Sequence, residues 1–203
     1  PLAGWPFTFT TNDAADYATN GTSGSAYSPI LNRWDPVPAI AGAQVAVVRD
    51  SVVLAHANGF EAWSARYGHW RSLATAPGAT FQAPATSSTT LVTDGLTLHV
   101  FDARLDRWAS ITGVATMTTR ISRHTAMAHD GSFAYGFGQP SGEWWVEPLT
   151  TAPTTFDTAS SIGTLRHGTQ LSVYSVQGSF TYTGRYPEFT QAINLGNTLR
   201  MHQ

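Results

Sequence analysis

The 203-residue chain has no cysteine and no lysine. Without cysteine there is no disulfide framework, no thiol catalysis and no cysteine zinc site. Without lysine there is no Schiff-base chemistry and no phosphate-binding P-loop. Charged residues make up only 12% of the chain, about half the usual share. The net charge of −2 argues against a nucleic-acid binder that works by neutralising phosphates. Apolar stretches are broken by Gly, Pro, Ser and Thr, so no membrane-spanning helix is expected. No signal peptide is visible, and the first residue is Pro1.

In place of charge the chain carries hydroxyls and rings: 45 Ser and Thr, and 24 Phe, Tyr and Trp. Hydroxyls at this density suit turns and half-buried strands rather than helix interiors. Twenty-four rings bury enough apolar area to exclude disorder.

The rings recur. Phe60-Glu-Ala-Trp63-Ser-Ala-Arg66-Tyr-Gly-His-Trp70 aligns without a gap on Leu98-His-Val-Phe101-Asp-Ala-Arg104-Leu-Asp-Arg-Trp108. The shared pattern, an aromatic with Trp seven residues on, also fits Tyr27 with Trp34 and Phe137 with Trp144; Tyr182 with Phe189 follows it with Phe in the second place. The second rings are spaced by 36, 38, 36 and 45 residues. Asn20-Gly21, Asn58-Gly59, Asp94-Gly95 and Asp130-Gly131 precede their Trp by 12 or 14 residues, and Gln177-Gly178 holds the same place before Phe189. Asn-Gly and Asp-Gly favour the positive φ of a tight hairpin turn. Runs such as Val45-Ala-Val-Val48 and Thr97-Leu-His-Val-Phe101 flank them at strand length. In the second repeat, inner strands are expected near 43–49 and 52–57, then a third strand carrying the first ring and a fourth starting at the Trp.

Four short strands per roughly 40 residues, repeated, predict an all-β fold: a β-propeller of about five four-stranded blades, with a partial arc of a six- or seven-bladed propeller as the alternative. As one domain spanning 1–203, the approximate repeats are 1–41, 42–78, 79–115, 116–154 and 155–196, with an extra strand at 197–203. The recurrent Trp is expected to fill the gap between blades, each buried ring contributing roughly 2–3 kcal/mol. The long connection between Trp145 and Leu171 is expected as a surface loop, and Asn20-Gly-Thr22 matches the glycosylation acceptor pattern.

Tyr27-Ser-Pro-Ile-Leu-Asn-Arg-Trp34 and Phe101-Asp-Ala-Arg-Leu-Asp-Arg-Trp108 resemble the second half of a kelch repeat, Tyr-Asp-Pro-x-Thr-Asn-x-Trp. The Gly-Gly doublet of that family is missing, so the resemblance is kelch-like. It implies a propeller that serves as a protein-interaction platform. The copper oxidases of the family need Cys, so their chemistry does not carry over.

No acid pair and no metal spacing stands out, so no catalytic residue, cofactor or metal is assigned. Arg123-His124, Arg166-His167 and Arg200-x-His202 fall on or near expected inner strands and are candidates for an anionic ligand or acidic partner. Trp5, Tyr67, Trp145 and Tyr186 lie outside the repeat register and are candidates for stacking on a sugar. The expected function is a non-enzymatic interaction module, an accessory subunit of a larger assembly with a protein partner on its loops. Alternatives are a lectin-like glycan binder and an enzyme at the axial funnel. Hydroxyl-rich, Cys-free composition suits an extracellular, periplasmic or cell-surface location.

Overall fold

The computed structural model describes residues 8–12, 14–38, 42–138, 142–168, 170–175, 182–185, 191–194 and 199–202, with side chains up to Tyr174. It divides into two compact units, Pro1–Thr90 with Phe101–Trp108, and Leu91–Val100 with Ala109–Gln203; the boundary passes through the third sheet.

The architecture is all-β, of the β-propeller type: five four-stranded antiparallel sheets, each a simple meander in chain order. The first holds β1 (Thr8–Asn12), β2 (Ala15–Thr19), β3 (Ser23–Ser28) and β4 (Arg33–Pro38). The second holds β5 (Gln44–Val48), β6 (Ser51–His56), β7 (Gly59–Ser64) and β8 (His69–Ala74). The third holds β9 (Thr80–Gln82), β10 (Thr89–Asp94), β11 (Thr97–Asp102) and β12 (Arg107–Thr112). The fourth holds β13 (Thr118–Ile121), β14 (Thr125–His129), β15 (Phe133–Gly138) and β16 (Glu143–Pro148). The fifth holds β17 (Thr155–Ala159), β18 (Ile162–His167), β19 (Gln170–Ser175) and β20 (Tyr182–Arg185). A further pair, β21 (Gln191–Asn194) and β22 (Leu199–His202), follows, so the segment 197–203 carries one strand of a two-stranded sheet. Gln177-Gly178 and Phe189 lie outside the described residues.

Each described Asn-Gly or Asp-Gly pair lies at the reversal between second and third strands. The seven-residue ring interval is also explained. The third and fourth strands are joined by four residues (29–32, 65–68, 103–106, 139–142), which bring the two rings directly opposite one another, as in Tyr27↔Trp34, Trp63↔Trp70 and Phe137↔Trp144. Ring centroids lie 5.1, 6.3, 5.3 and 5.5 Å apart in the four pairs. The last residue of each turn takes positive φ: Asn32 at 50°, Gly68 at 68°, Asp106 at 53° and Gly142 at 65°. Asn, Asp and Gly are the residues that accept this conformation most readily.

Burial follows strand position. Second and third strands are mostly buried, while first and fourth strands are half-buried or exposed. In the first unit, Tyr17, Val52, Leu54 and Trp63 build a core between the first and second sheets, with Trp70 packed at its margin. In the second unit, Leu91, Leu98, Val100, Tyr135 and Phe137 do the same, with Trp144 at the margin. In three of the four pairs the ring that fills the interior is the first: Trp63, Phe101 and Phe137 are fully buried, while Tyr27 is half-buried. The recurrent Trp lies on an outer strand and stays partly exposed; Trp70 and Trp144 pack against the margin of the gap they were expected to fill rather than its centre. One correction concerns the long connection after Trp145: Thr155–Ala159 is strand β17, paired with β18 in register. Its hydroxyl-rich composition reads as loop but suits a half-exposed edge strand.

Candidate functional site

In a meander, turns alternate between the two ends of a sheet. One end carries the first-to-second and third-to-fourth strand turns; the other carries the Asn-Gly turns. In the first unit, three consecutive third-to-fourth turns are joined by a repeated bond. Ser28 Oγ donates to the Ala65 carbonyl at 2.5 Å, and Ser64 Oγ donates to the Ala103 carbonyl at 2.5 Å. Each serine also accepts from its own turn, from Leu31 N at 2.9 Å and Arg66 N at 3.2 Å. Backbone bonds lock the turns underneath: Ala65 N donates to Asp50 O at 2.9 Å and Ala103 N to Ser88 O at 3.0 Å.

Arginines repeat the device on the outside. Arg33 Nη2 donates to Gly68 O at 3.2 Å while its Nε pairs with Asp35 at 2.9 Å. Arg71 Nε donates to the carbonyl of Asp106 at 3.1 Å and to its Oδ2 at 3.0 Å, and Arg71 Nη2 reaches the same oxygen. His69 Nδ1 also lies 3.1 Å from Asp106 Oδ2. These carboxylates serve as struts between neighbouring turns. Trp63 Nε1 donates to Asp35 at 3.3 Å and Trp108 Nε1 to Arg71 O at 3.0 Å.

The turns built this way present apolar side chains to water. Ile30 is 58% exposed, Leu31 37%, Trp34 42% and Tyr67 43%. Tyr67 keeps its hydroxyl on Arg104 O at 3.2 Å, which holds its ring in place across the neighbouring turn. Turn tips are normally polar. An exposed Ile-Leu pair at the tip of one bonded turn, an exposed Trp on the strand that follows and an exposed Tyr on the next turn are the residue types of a contact surface.

Beneath this surface sits Asp50, buried at the turn before β6. Burial pushes its carboxyl above the usual range, against the pull of the Ser88 hydroxyl and of Arg104, Arg49 and Arg66. Among the described residues its Oδ1 has no hydrogen-bond partner, and neither does Arg49 Nη1.

The candidates read from the sequence are distributed differently. Tyr67 lies on the surface just described. Trp145 does not stand free for a sugar: it stacks on Tyr174, with centroids 5.8 Å apart and planes at 28°, beside Met127 and Phe156 in a core between the fourth and fifth sheets. Burial there pushes the Tyr174 hydroxyl up to about 12. Arg123 and His124 form the turn between β13 and β14, where His124 N donates to Ser160 O at 3.0 Å, next to the start of β18. Arg166 and His167 end β18. Five residues of extended chain, about 17 Å, separate the two places, so the pairs are not brought together. His167 is buried, with Nδ1 3.2 Å from Thr150 Oγ1 and Nε2 3.2 Å from Ser172 Oγ; both ring nitrogens are used inside the fold. Arg200 and His202 belong to β22, but their side chains, like all of Trp5 and Tyr186, lie outside the described residues.

The second unit has its own carboxylate strut at the Asn-Gly end. Asp130 Oδ1 accepts from Ser132 N at 2.9 Å and Phe133 N at 2.7 Å; Oδ2 accepts from Tyr135 Oη at 2.5 Å and Val114 N at 3.0 Å. Burial alone raises its pKa, but these four donors outweigh it and bring the carboxyl down to about 2. Among the described residues no three His, Asp or Glu side chains gather to hold a metal ion, and no helix is long and apolar enough to cross a membrane.

No family model matches the chain, and no curated protein is similar to it in sequence. Solved structures similar to it include the WD40 domain of SCAP from fission yeast (7% identity, TM-score 0.40, covering 97% of this chain and 62% of that one). Hsv2p of Kluyveromyces lactis is another (8%, 0.40, 87% and 61%). A third is PorZ, a surface component of the type-IX secretion system of Porphyromonas gingivalis (10%, 0.38, 92% and 28%). The chain spans less than two thirds of the length of each. The fold assignment rests on the five sheets themselves.

Proposed function

We propose that this chain is a non-enzymatic interaction module that holds a protein partner on the third-to-fourth strand turns of its first unit. The observation that carries the reading is the exposed apolar set Ile30, Leu31 and Tyr67, on turns fixed by Ser28, Ser64 and Arg33, with the exposed Trp34 at the start of β4. A preorganised apolar surface binds without a large ordering cost, and exposed rings beside arginine are the residue types that anchor interfaces. Two acidic groups at this end, Asp35 and Asp106, are engaged by arginines as structural struts.

We also infer a kelch-like version of the repeat. Its support is the Tyr27 hydroxyl, which donates to Asn32 Oδ1 at 2.8 Å, while the Tyr27 ring packs on Trp34. The Tyr, Asn and Trp of the motif thus form one unit.

The test is affinity capture of partners by the intact protein and by two variants. Ile30→Asp places a charge on the surface without touching the core; Thr22→Lys alters the opposite end of the same sheet. A partner retained by the parent and by Thr22→Lys but lost with Ile30→Asp supports the proposal. A partner indifferent to Ile30→Asp overturns it.

A further inference from the structure

Asn20-Gly21 and Asn58-Gly59 hold the same place in the repeat, at the reversal between second and third strands. Asparagine followed by glycine is the least hindered setting for one covalent reaction. The backbone nitrogen of the glycine attacks the asparagine side-chain carbon Cγ, and no side chain on the glycine obstructs the approach. Which of the two pairs reacts depends on whether the side-chain amide is free to turn onto that nitrogen.

At Asn20 it is not free. Its Oδ1 accepts from Thr22 N at 2.9 Å, Thr22 Oγ1 at 3.0 Å, Ser23 N at 2.7 Å and Ser23 Oγ at 3.1 Å. These donors pin the amide towards residues 22 and 23. Gly21 N is itself engaged, donating to Thr19 Oγ1 at 3.1 Å. At Asn58 the backbone is held and the side chain is not. Asn58 N donates to His56 Nδ1 at 3.4 Å, and the Asn58 carbonyl accepts from Thr75 N at 3.3 Å. Asn58 is exposed, and among the described residues its side chain makes no hydrogen bond, unlike those of Asn12, Asn20 and Asn32. Gly59 lies in the last pair of the β6–β7 ladder, opposite His56, where a strand pair opens at least cost.

We propose that Asn58 is a site of spontaneous covalent modification, with water as its co-reactant, and that the hydrogen bonds on Asn20 protect the equivalent pair in the first sheet. The bond from Gly59 N to Asn58 Cγ forms, the bond from Cγ to the side-chain nitrogen breaks, and ammonia leaves with the Gly59 N–H proton. Water then opens the cyclic imide. Cleavage at Cγ leaves aspartate in an ordinary peptide chain; cleavage at the backbone carbonyl leaves isoaspartate, with the chain running through Cβ. Both products place a new carboxylate on the turn, and isoaspartate lengthens the backbone by one carbon just before Gly59. There is no slack at that point, since even a Cβ on Gly59 would overlap the Leu73 carbonyl on β8. The site lies at the opposite end of the sheets from the apolar turns and does not depend on the interaction reading.

For the experiment, the intact protein is held at mildly alkaline pH and physiological temperature, sampled over days and cleaved after arginine. Asn58 is read in the segment 50–66 and Asn20 in the segment ending at Arg33, each by the mass change of amide to acid and by chromatographic separation of the two isomers. A parallel sample is held unfolded in guanidinium chloride. Unfolded, the two positions should convert at similar rates. In the folded protein Asn20 should lag Asn58 by at least about tenfold, because several hydrogen bonds must break before its amide can turn. Thr22→Ala with Ser23→Ala, which removes two of the four donors, should shorten that lag. Conversion of Asn58 in guanidinium but not in the folded protein overturns the proposal. So does conversion of Asn20 as fast as Asn58 in the folded protein.

Discussion

The Ser64 hydroxyl, on the last residue of β7, donates at 2.5 Å to the carbonyl of Ala103, in the third-to-fourth strand turn of the next sheet. Ser28 repeats this to Ala65 one sheet earlier. Both hydroxyls are buried, so a lost donor leaves a buried carbonyl unpaired. Ser64→Ala and Ser28→Ala are each expected to cost about 1–3 kcal/mol in urea unfolding. Ser72→Ala, which removes an exposed bond to Glu61, is expected to cost less than about 0.5 kcal/mol. Equal losses at all three sites would contradict the assignment of these serines as latches.

Stability should fall with acid in two steps. Burial lowers the pKa of His99 and His129 below 6.5, so the unfolded chain takes up these protons first. Their effect is absent above that value, and stability is lost as pH falls through it. Asp130, held down to about 2 from 3.8, contributes stability that is present above about pH 4 and lost as pH falls towards 2. Denaturant titrations across this range should show the upper step reduced in His99→Gln with His129→Gln, and the lower step reduced in Asp130→Asn. A Tyr135→Phe variant, which removes one of the four donors to Asp130, should shift the lower step to higher pH.

Gly163 on β18 faces Met127 on β14. A Cβ built there would overlap the Met127 sulfur and lie 2.7 Å from its Cγ. Gly163→Ala is expected to destabilise by about 1–3 kcal/mol through overpacking. Combined with Met127→Ala, the total cost should be less than the sum of the single costs by more than about 0.5 kcal/mol, because the second change makes room for the first. Additive costs would show that the fourth and fifth sheets do not meet at these residues.

Much of the fold is legible because two local rules each leave a fixed signature. Asn-Gly and Asp-Gly mark the reversal from second to third strand. The seven-residue ring interval marks the next reversal, because a four-residue turn closing with positive φ at Asn32, Gly68, Asp106 or Gly142 sets the rings opposite one another. What periodicity does not reveal is which face each partner meets. Trp63 and Trp70 are equivalent in the sequence, yet only Trp63 is fully buried, since the third strand is central and the fourth is an edge. Trp145 reads as spare but fills the gap against Tyr174. Strand β17 is hidden by its threonines.

The site is less legible than the fold. Arg123-His124 and Arg166-His167 look alike as dipeptides, but successive turns of a meander fall at alternate ends, so one pair closes β13–β14 and the other ends β18. The apolar surface does carry a signal: Pro29-Ile-Leu31 occupies a turn tip, where polar residues are the rule. Asp50 carries none, because Arg49, Arg66 and Arg104, whose charges act on it, come from three separate turns.

Exposed arginines in partnered positions should behave unlike Arg66. Arg71 is committed to Asp106, so Arg71→Ala is expected to destabilise the protein by about 1–2 kcal/mol, while Arg66→Ala should leave its unfolding midpoint near parent. Thermal melts of the two variants separate a strut from a surface residue.

The central claim concerns one end of the first unit, and site-specific photo-cross-linking tests it most directly. A benzophenone side chain is placed at Ile30, at Tyr67 or, at the opposite end, at Thr22, and the protein is irradiated in an extract of the cells that produce it. The account predicts the same discrete adduct at Ile30 and Tyr67 and none at Thr22. Adducts of equal yield at all three positions, or at Thr22 alone, would contradict it.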